Sequence, residues 1–245
     1  MKKLTIILLA LLTFLACKNE KKETAQVEEP KAETQIMAEN TNEWITLFDG
    51  SSMDAWRGYL MNDMPSGWSI ENNAMAFTPV KGGGQDIITK EKFENFELSI
   101  EWKISEGGNS GIFWGVLEAK DEKIYGSALE VQVLDNQRHP DAKNGTDRQA
   151  GALYDLVSPS KDVSNPAGEW NKAVIKINHK TNEGSSTLNG TIIATFPLHG
   201  KKWDELVANS KFKTWDKFAK TPNGHIGLQD HSDKVWFRNI KIRKL

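Results

Sequence analysis

A chain of 245 residues carrying 31 Lys and Arg against 33 Asp and Glu has a net charge near −2. With no basic cluster along it, the electrostatic footprint of a nucleic-acid binder is excluded. A single cysteine excludes an internal disulfide, so a folded domain must be held together by its core.

Met1-Lys2-Lys3 precedes an almost unbroken apolar run from Leu4 to Ala16. That run is too short to span a bilayer and has the charged, apolar and small-residue layout of a secretory signal. Phe14-Leu15-Ala16-Cys17 resembles a bacterial lipobox, with Phe14 where Leu is usual. Residues 1–17 therefore read as a lipoprotein signal peptide with Cys17 as the lipidated residue. Export and lipid anchoring to a bacterial cell envelope, at the periplasm or outer membrane face, follow as expectations. Residues 18–42 are mostly Lys, Glu, Gln, Asn, Thr and Ala. They carry too little apolar surface to offset the entropy of ordering, which predicts a disordered tether. The remainder, 43–245, is roughly 200 residues and suits one all-β domain with a sizeable core.

Within it, Phe96-Glu97-Leu98-Ser99-Ile100-Glu101-Trp102-Lys103-Ile104 alternates strictly between apolar and polar, the signature of a half-buried strand. Residues 111–117, 129–134, 173–178, 225–229 and 235–242 read the same way. Gly107-Gly108, Asn144-Gly145, Asn189-Gly190 and Asn223-Gly224 supply the turns between strands. Such punctuation predicts two antiparallel sheets packed as a sandwich. Only residues 202–209 break the pattern: Trp203, Leu206 and Val207 fall at helical spacing, predicting a short helical insertion that covers a sheet or flanks a cleft. Lys81-Gly82-Gly83-Gly84-Gln85-Asp86 lacks the Gly-Lys-Ser/Thr ending of a phosphate loop and reads as a loop at a cleft rim.

The candidate site is the stretch from Ala128 to Leu156. Glu130 and Gln132 share one face of a strand, and Asp135, His139 and Tyr154 follow closely. A carboxylate, an amide, an imidazole and a phenol in this order suit a site better than a core. A second polar row, His225, Gly227, Gln229 and His231, alternates with Ile226, Leu228 and Asp230, and would suit the floor of a groove. His179 and His199 sit beside turn residues and read as surface residues. Trp114 is either a stacking platform for a ligand ring or a core residue. Glu130, Asp135, His139 and His231 form a possible divalent-metal donor set, although no compact ligand spacing accompanies them.

Seven segments in order carry a family resemblance. They are Trp44-Ile45-Thr46-Leu47-Phe48-Asp49-Gly50 with Trp56 soon after, Asn109-Ser110-Gly111-Ile112-Phe113, Glu130-Val131-Gln132-Val133-Leu134-Asp135-Asn136, Gly151-Ala152-Leu153-Tyr154, Gly168-Glu169-Trp170-Asn171, Leu188-Asn189-Gly190, and Gly224-His225-Ile226-Gly227-Leu228-Gln229-Asp230-His231. The series resembles the 3-keto-disaccharide hydrolase family of bacterial exported proteins and covers essentially everything after the tether. That resemblance implies a concanavalin A-like jelly roll with a sugar on one concave face. It also implies cleavage of glycosides whose glucose unit is already oxidised at C3.

A C3 ketone acidifies the proton on C2, so a base can form an enolate, the C1 substituent can leave by β-elimination, and water can add to the enone. This route asks for a base near C2, donors or a metal at the ketone oxygen, and an acid at the leaving oxygen. Glu130 and His139 are the candidate catalytic residues, with Glu130 or His139 as base and His139 or Tyr154 as acid. Asn109, Trp114, Gln132, Asp135, Tyr154, Gln229 and His231 are candidate substrate-binding residues, and a carbohydrate is the expected partner. Two alternatives use the same fold. One is a conventional glycoside hydrolase, whose jelly-roll members carry Glu-x-Asp-x-x-Glu where this chain has Glu130-x-Gln132-x-x-Asp135. The other is a non-catalytic carbohydrate-binding surface module, which the tether and nine tryptophans would also suit.

Overall fold

The computed structural model describes residues 43–245; the expected signal, Cys17 and tether lie outside the described residues. The strands in chain order are β1 (Ile45–Phe48), β2 (Trp56–Gly58), β3 (Trp68–Glu71), β4 (Ala74–Phe77), β5 (Ile87–Phe93), β6 (Phe96–Ile104), β7 (Asn109–Val116), β8 (Leu129–Leu134), β9 (Asn171–Asn178), β10 (Glu183–Leu188) and β11 (Thr191–Phe196). Helix α1 (Lys201–Ala208) follows, then β12 (Gly224–Leu228) and β13 (Val235–Lys244). All pairings are antiparallel. One sheet has eight strands in the order β11-β10-β9-β6-β13-β4-β3, with β1 also on β13; the other has five in the order β2-β5-β12-β7-β8. The expected all-β sandwich with a short helix is what forms.

β6 shows why the sheets stack. Phe96, Leu98, Ile100, Trp102 and Ile104 point inward, each at most 1% exposed. Each such burial contributes about 1.5–3 kcal/mol. On the other face Ser99 is covered, while Glu97 pairs with Arg243 and Glu101 with Arg238, both at 2.8 Å. Such exposed pairs add little stability but keep this face from slipping inward. Between β10 and β11, Asn189 and Gly190 have φ of 48° and 81°, the positive values a two-residue hairpin turn requires.

The five-stranded sheet is covered on both faces. Its inner face supplies Ile112, Trp114, Val131 and Val133 to the main core. Its outer face carries a second small cluster of Tyr59, Ile88, Phe113, Val116, Ile124 and Ala128. That minor core occupies one end of the outer face and leaves the other end for a cleft.

Candidate active site

β8 is an edge strand of the five-stranded sheet. Leu129, Val131 and Val133 point into the core, so Glu130 and Gln132 are turned to the outer face. The open edge is covered by the chain itself. Gly151 N donates to Gln132 O at 2.9 Å, Gln132 N to Ala152 O at 3.1 Å, and Tyr154 N to Glu130 O at 3.0 Å. These bonds hold Tyr154 beside Glu130.

Here β8 borders a cleft of about 640 Å³. Of the residues expected from sequence, Asn109, Glu130, Gln132, His139, Tyr154, Gln229 and His231 all line it. Tyr125, Asp141, Asn144, Lys211, Phe212 and Trp215 line it as well, and the sequence gives no local sign of them except that Asp141 and Asn144 fall inside the polar stretch after β8. Lys211, Phe212 and Trp215 come from the turn after α1, which therefore flanks the cleft.

Three expectations need correction. Trp114 is 2% exposed, belongs to the core and stacks on Phe196 with centroids 6.2 Å apart. It points between the sheets because its β7 neighbours Gly111 and Phe113 take the outer face. Asp135 is buried and its carboxylate is engaged with protein: it accepts from Gly107 N at 2.8 Å and Gln137 N at 3.1 Å and pairs with Arg138. Burial alone would raise its pKa, but these donors outweigh that and lower it. Asp135 thus anchors the loop, and its backbone oxygen accepts from His139 N at 3.0 Å. His225 does not reach the cleft, because its Nδ1 faces the carbonyls of Thr89 at 2.7 Å and Glu91 at 3.2 Å. A bulge between His225 and Gly227 breaks the expected alternation. His179 and His199 also lie away from the cleft lining.

Glu130 is the group whose chemistry the fold alters most. Its carboxylate folds over Gly111, where an added Cβ would collide with Oε1. Burial pushes its pKa up to about 8; Lys211 opposes that rise, while Asp86 and Asp141 reinforce it. The Gln132 amide, oriented to satisfy its neighbours, donates to Ser110 O at 2.9 Å and to Glu130 Oε1 at 3.3 Å. Gln229 Oε1 is buried without a protein partner.

Around this carboxylate runs a charged network. Tyr154 OH donates to Asp141 Oδ2 at 2.9 Å and accepts from Arg148 at 3.1 Å. Arg148 also pairs with Asp141 at 3.4 Å and closely with Asp155, and Asp155 Oδ2 accepts from Lys211 N at 2.7 Å. Lys211 Nζ sits 4.2 Å from the centre of the Tyr154 ring. Burial, then the bond to Asp141, raises the Tyr154 pKa, which keeps its proton on at ordinary pH. Partial desolvation lowers that of Lys211.

His139 caps the 3₁₀ turn Pro140–Lys143, its Nδ1 accepting from Asp141 N at 3.1 Å. A neutral ring that accepts at Nδ1 carries its proton on Nε2, which makes it a donor toward the cleft rather than a base. Its ring meets that of His231 edge-on at 6.1 Å. His231 Nε2 lies 3.5 Å from Asn109 Nδ2, and Asn109 N donates to Asp233 at 3.0 Å. The ligand atoms of His139, His231 and Asp233 lie within 4.8 Å of one another. That donor set suits a first-row divalent ion in residue type, and it replaces the expected grouping around Glu130 and Asp135. An ion there would have to displace the Asp141 N–H from His139 or take the ring nitrogen that carries the proton.

The model of a family described as a 3-keto-alpha-glucoside-1,2-lyase-like domain matches residues 43–243. A 3-keto-disaccharide hydrolase of Bacteroides thetaiotaomicron is 42% identical over 230 residues, spanning 82% of this chain and 78% of that protein. Among solved structures, a candidate glycosyl hydrolase from Parabacteroides distasonis has a TM-score of 0.75 at 26% identity, covering 82% of this chain and 94% of that one. A Bacillus subtilis protein with a galectin-like fold has a TM-score of 0.51 at 12% identity over 83% of this chain and 95% of that one, a likeness of fold alone. With nearly every described residue inside the matched span, the chain belongs to the 3-keto-alpha-glucoside-1,2-lyase-like family.

Proposed function

We propose that this protein cleaves 3-keto-glycosides by removing the C2 proton, eliminating the C1 substituent and adding water. Family membership and the 42% identical 3-keto-disaccharide hydrolase support the substrate class. The observation that carries the chemistry is Glu130, a carboxylate with its pKa raised to about 8 in a polar cleft. Once ionised, a base of that strength removes an α-keto proton far better than an ordinary glutamate, and its ionised fraction grows toward pH 8.

Glu130 takes the proton from C2, and electrons move onto the C3 oxygen. The Nε2–H of His139 and the amide of Asn109 are cleft donors available to the developing oxyanion, while the Gln132 amide stays on Glu130. As the C1–O bond breaks, the leaving oxygen takes a proton from His139 or from Tyr154. Water then adds at C1 of the enone, its proton restoring the residue that served as acid, and Glu130, its proton exchanged with solvent, protonates C2. One water is consumed, and the products are 3-keto-glucose and the free alcohol. The conventional glycosidase reading needs a second carboxyl near Glu130. Asp135, the residue sequence offered for it, is tied to backbone donors instead.

Purified protein should release sugar from a 3-keto-glucoside and leave the unoxidised glucoside intact. In D2O the released 3-keto-glucose should carry deuterium at C2 above the level that free 3-keto-glucose acquires by exchange. Retention of the original C2 hydrogen would sink the elimination route, and equal turnover of both glucosides would sink the substrate class.

Export with a lipid on Cys17 is also part of this reading, supported by the basic, apolar and small-residue order of residues 1–17. Labelled palmitate should enter the wild type and not Cys17→Ala.

A further inference from the structure

The strand register gives the cleft two ends. Asn109 pairs with Leu134 at the close of β8, and His139 follows that same end. The other end, where β8 begins, is walled by the turn after α1: Ala219 N donates to Ser127 O at 2.9 Å, and the Trp215 and Tyr125 rings lie 6.0 Å apart. Lys211 belongs to this wall, and Glu130 stands between the two ends. Lys211 is the one lysine or arginine lining the cleft. Its backbone N–H is fixed by Asp155, and its ammonium lies over the rings of Tyr154 at 4.2 Å and Phe212 at 5.1 Å. Among the described residues no carboxylate or carbonyl holds that ammonium. Its charge and that of Glu130 shift each other's pKa, so the two groups are within electrostatic reach.

We propose that Lys211 is the general acid that protonates the leaving oxygen. C1 and C3 flank C2, so a base at C2 has the ketone oxygen on one side and the leaving oxygen on the other. With His139 and Asn109 at the ketone, the leaving oxygen falls at the Lys211 end. As the C1–O bond breaks, its electron pair takes a proton from the Lys211 ammonium, while the enolate re-forms the ketone and makes the C1–C2 double bond. The neutral amine then takes a proton from the water that adds at C1, which restores the ammonium. His139 is spent on the ketone side, and Tyr154 OH is already donating to Asp141. Although Lys211 is exposed overall, desolvation lowers its pKa while burial raises that of Tyr154, so the ammonium is the readier donor. The inference rests on the elimination route proposed above and names the acid that route leaves open between His139 and Tyr154.

Kinetics with two leaving groups test this. Methanol needs a proton to leave, whereas 4-nitrophenolate does not. Lys211→Met should lower kcat/KM on methyl 3-keto-glucoside by about 10²–10⁴-fold, and on 4-nitrophenyl 3-keto-glucoside by about threefold or less. Loss of the ammonium also lets the Glu130 pKa climb, but that acts on both substrates alike, so the ratio of the two losses is the readout. Lys211→Arg keeps the charge and cannot release a proton at ordinary pH, so it should fail on the methyl glycoside as Lys211→Met does. Retained turnover of the nitrophenyl glycoside shows that both variants fold. Equal losses on both substrates with an unchanged Tm, no loss on either, or recovery of the methyl glycoside by Lys211→Arg overturns the inference and leaves the function standing. A wild type inactive on both glycosides overturns the function beneath it too.

Discussion

Glu130 sits in a strand of ordinary sequence, yet its surroundings give it a basicity that a surface glutamate lacks. Gly111 leaves room for the carboxylate, and burial raises its pKa from 4.5 to about 8. For a base the ionised form is the active one, so kcat/KM should rise with pH and level off above about 8. The same shift has a cost in stability. Between about pH 4.5 and 8 the folded protein holds a proton that the unfolded chain has released, so stability is fullest below that window and falls as pH rises through it. Glu130→Gln keeps the shape and cannot ionise. It should lower kcat by about 10²–10⁴-fold and stabilise the fold at pH 8.5 by roughly 1–3 kcal/mol, after discounting for partial solvent screening. Near pH 4 the two proteins should melt together. Thermal melts at both pH values, with a pH–rate profile, check this. A variant destabilised at pH 8.5 would show that the charged form is the one the fold favours.

Arg148 ties two connecting segments into one wall. It bridges Asp141 and Asp155, and Asp155 holds the backbone of Lys211 at 2.7 Å. Removing the guanidinium leaves two carboxylates facing each other and takes one partner from Tyr154 OH. Arg148→Ala should cost about 1–2 kcal/mol, discounted because the side chain is a quarter exposed. It should also lower kcat/KM about tenfold or more by loosening Tyr154 and Lys211 together. Arg148→Lys keeps the charge without the fork and should recover stability better than activity. Melting temperatures set beside kinetics decide it, and an unchanged kcat/KM in Arg148→Ala would make the network purely structural. At this scale much was legible in the sequence. β6, β8, β9 and β13 follow from period-two alternation, β7 and β12 were legible as runs between turn residues, and α1 follows from helical spacing. The strands that escaped are short or weakly patterned. β2 has three residues, β10 is Glu-Gly-Ser-Ser-Thr-Leu, and β3 turns into β4 through Asn72-Asn73, both at positive φ without a glycine.

For the whole molecule, the same logic separates what sequence can place from what only folding can. Glu130 and Gln132 were visible because a strand repeats every two residues, whereas Lys211 and Trp215 reach the cleft only after the chain has crossed between sheets. Trp114 failed for the opposite reason: in Ile112-Phe113-Trp114-Gly115 both faces are apolar, because the outer face of β7 is covered by a second small core. Periodicity could not say which face it takes. Packed on Phe196, it joins the five-stranded sheet to the eight-stranded one. Trp114→Ala should therefore cost about 3–5 kcal/mol as a cavity between sheets, a fall in Tm of roughly 6–20 °C for a domain of this size. Trp114→Phe should cost less, because it fills part of the space and removes an indole N–H that is buried without a partner. Well below its melting point, Trp114→Ala should keep KM for a 3-keto-glucoside within about twofold, since no part of the ring lines the cleft. Should KM instead rise tenfold with Tm unmoved, Trp114 would be a sugar platform, and the division of β7 between core and cleft drawn here would be wrong.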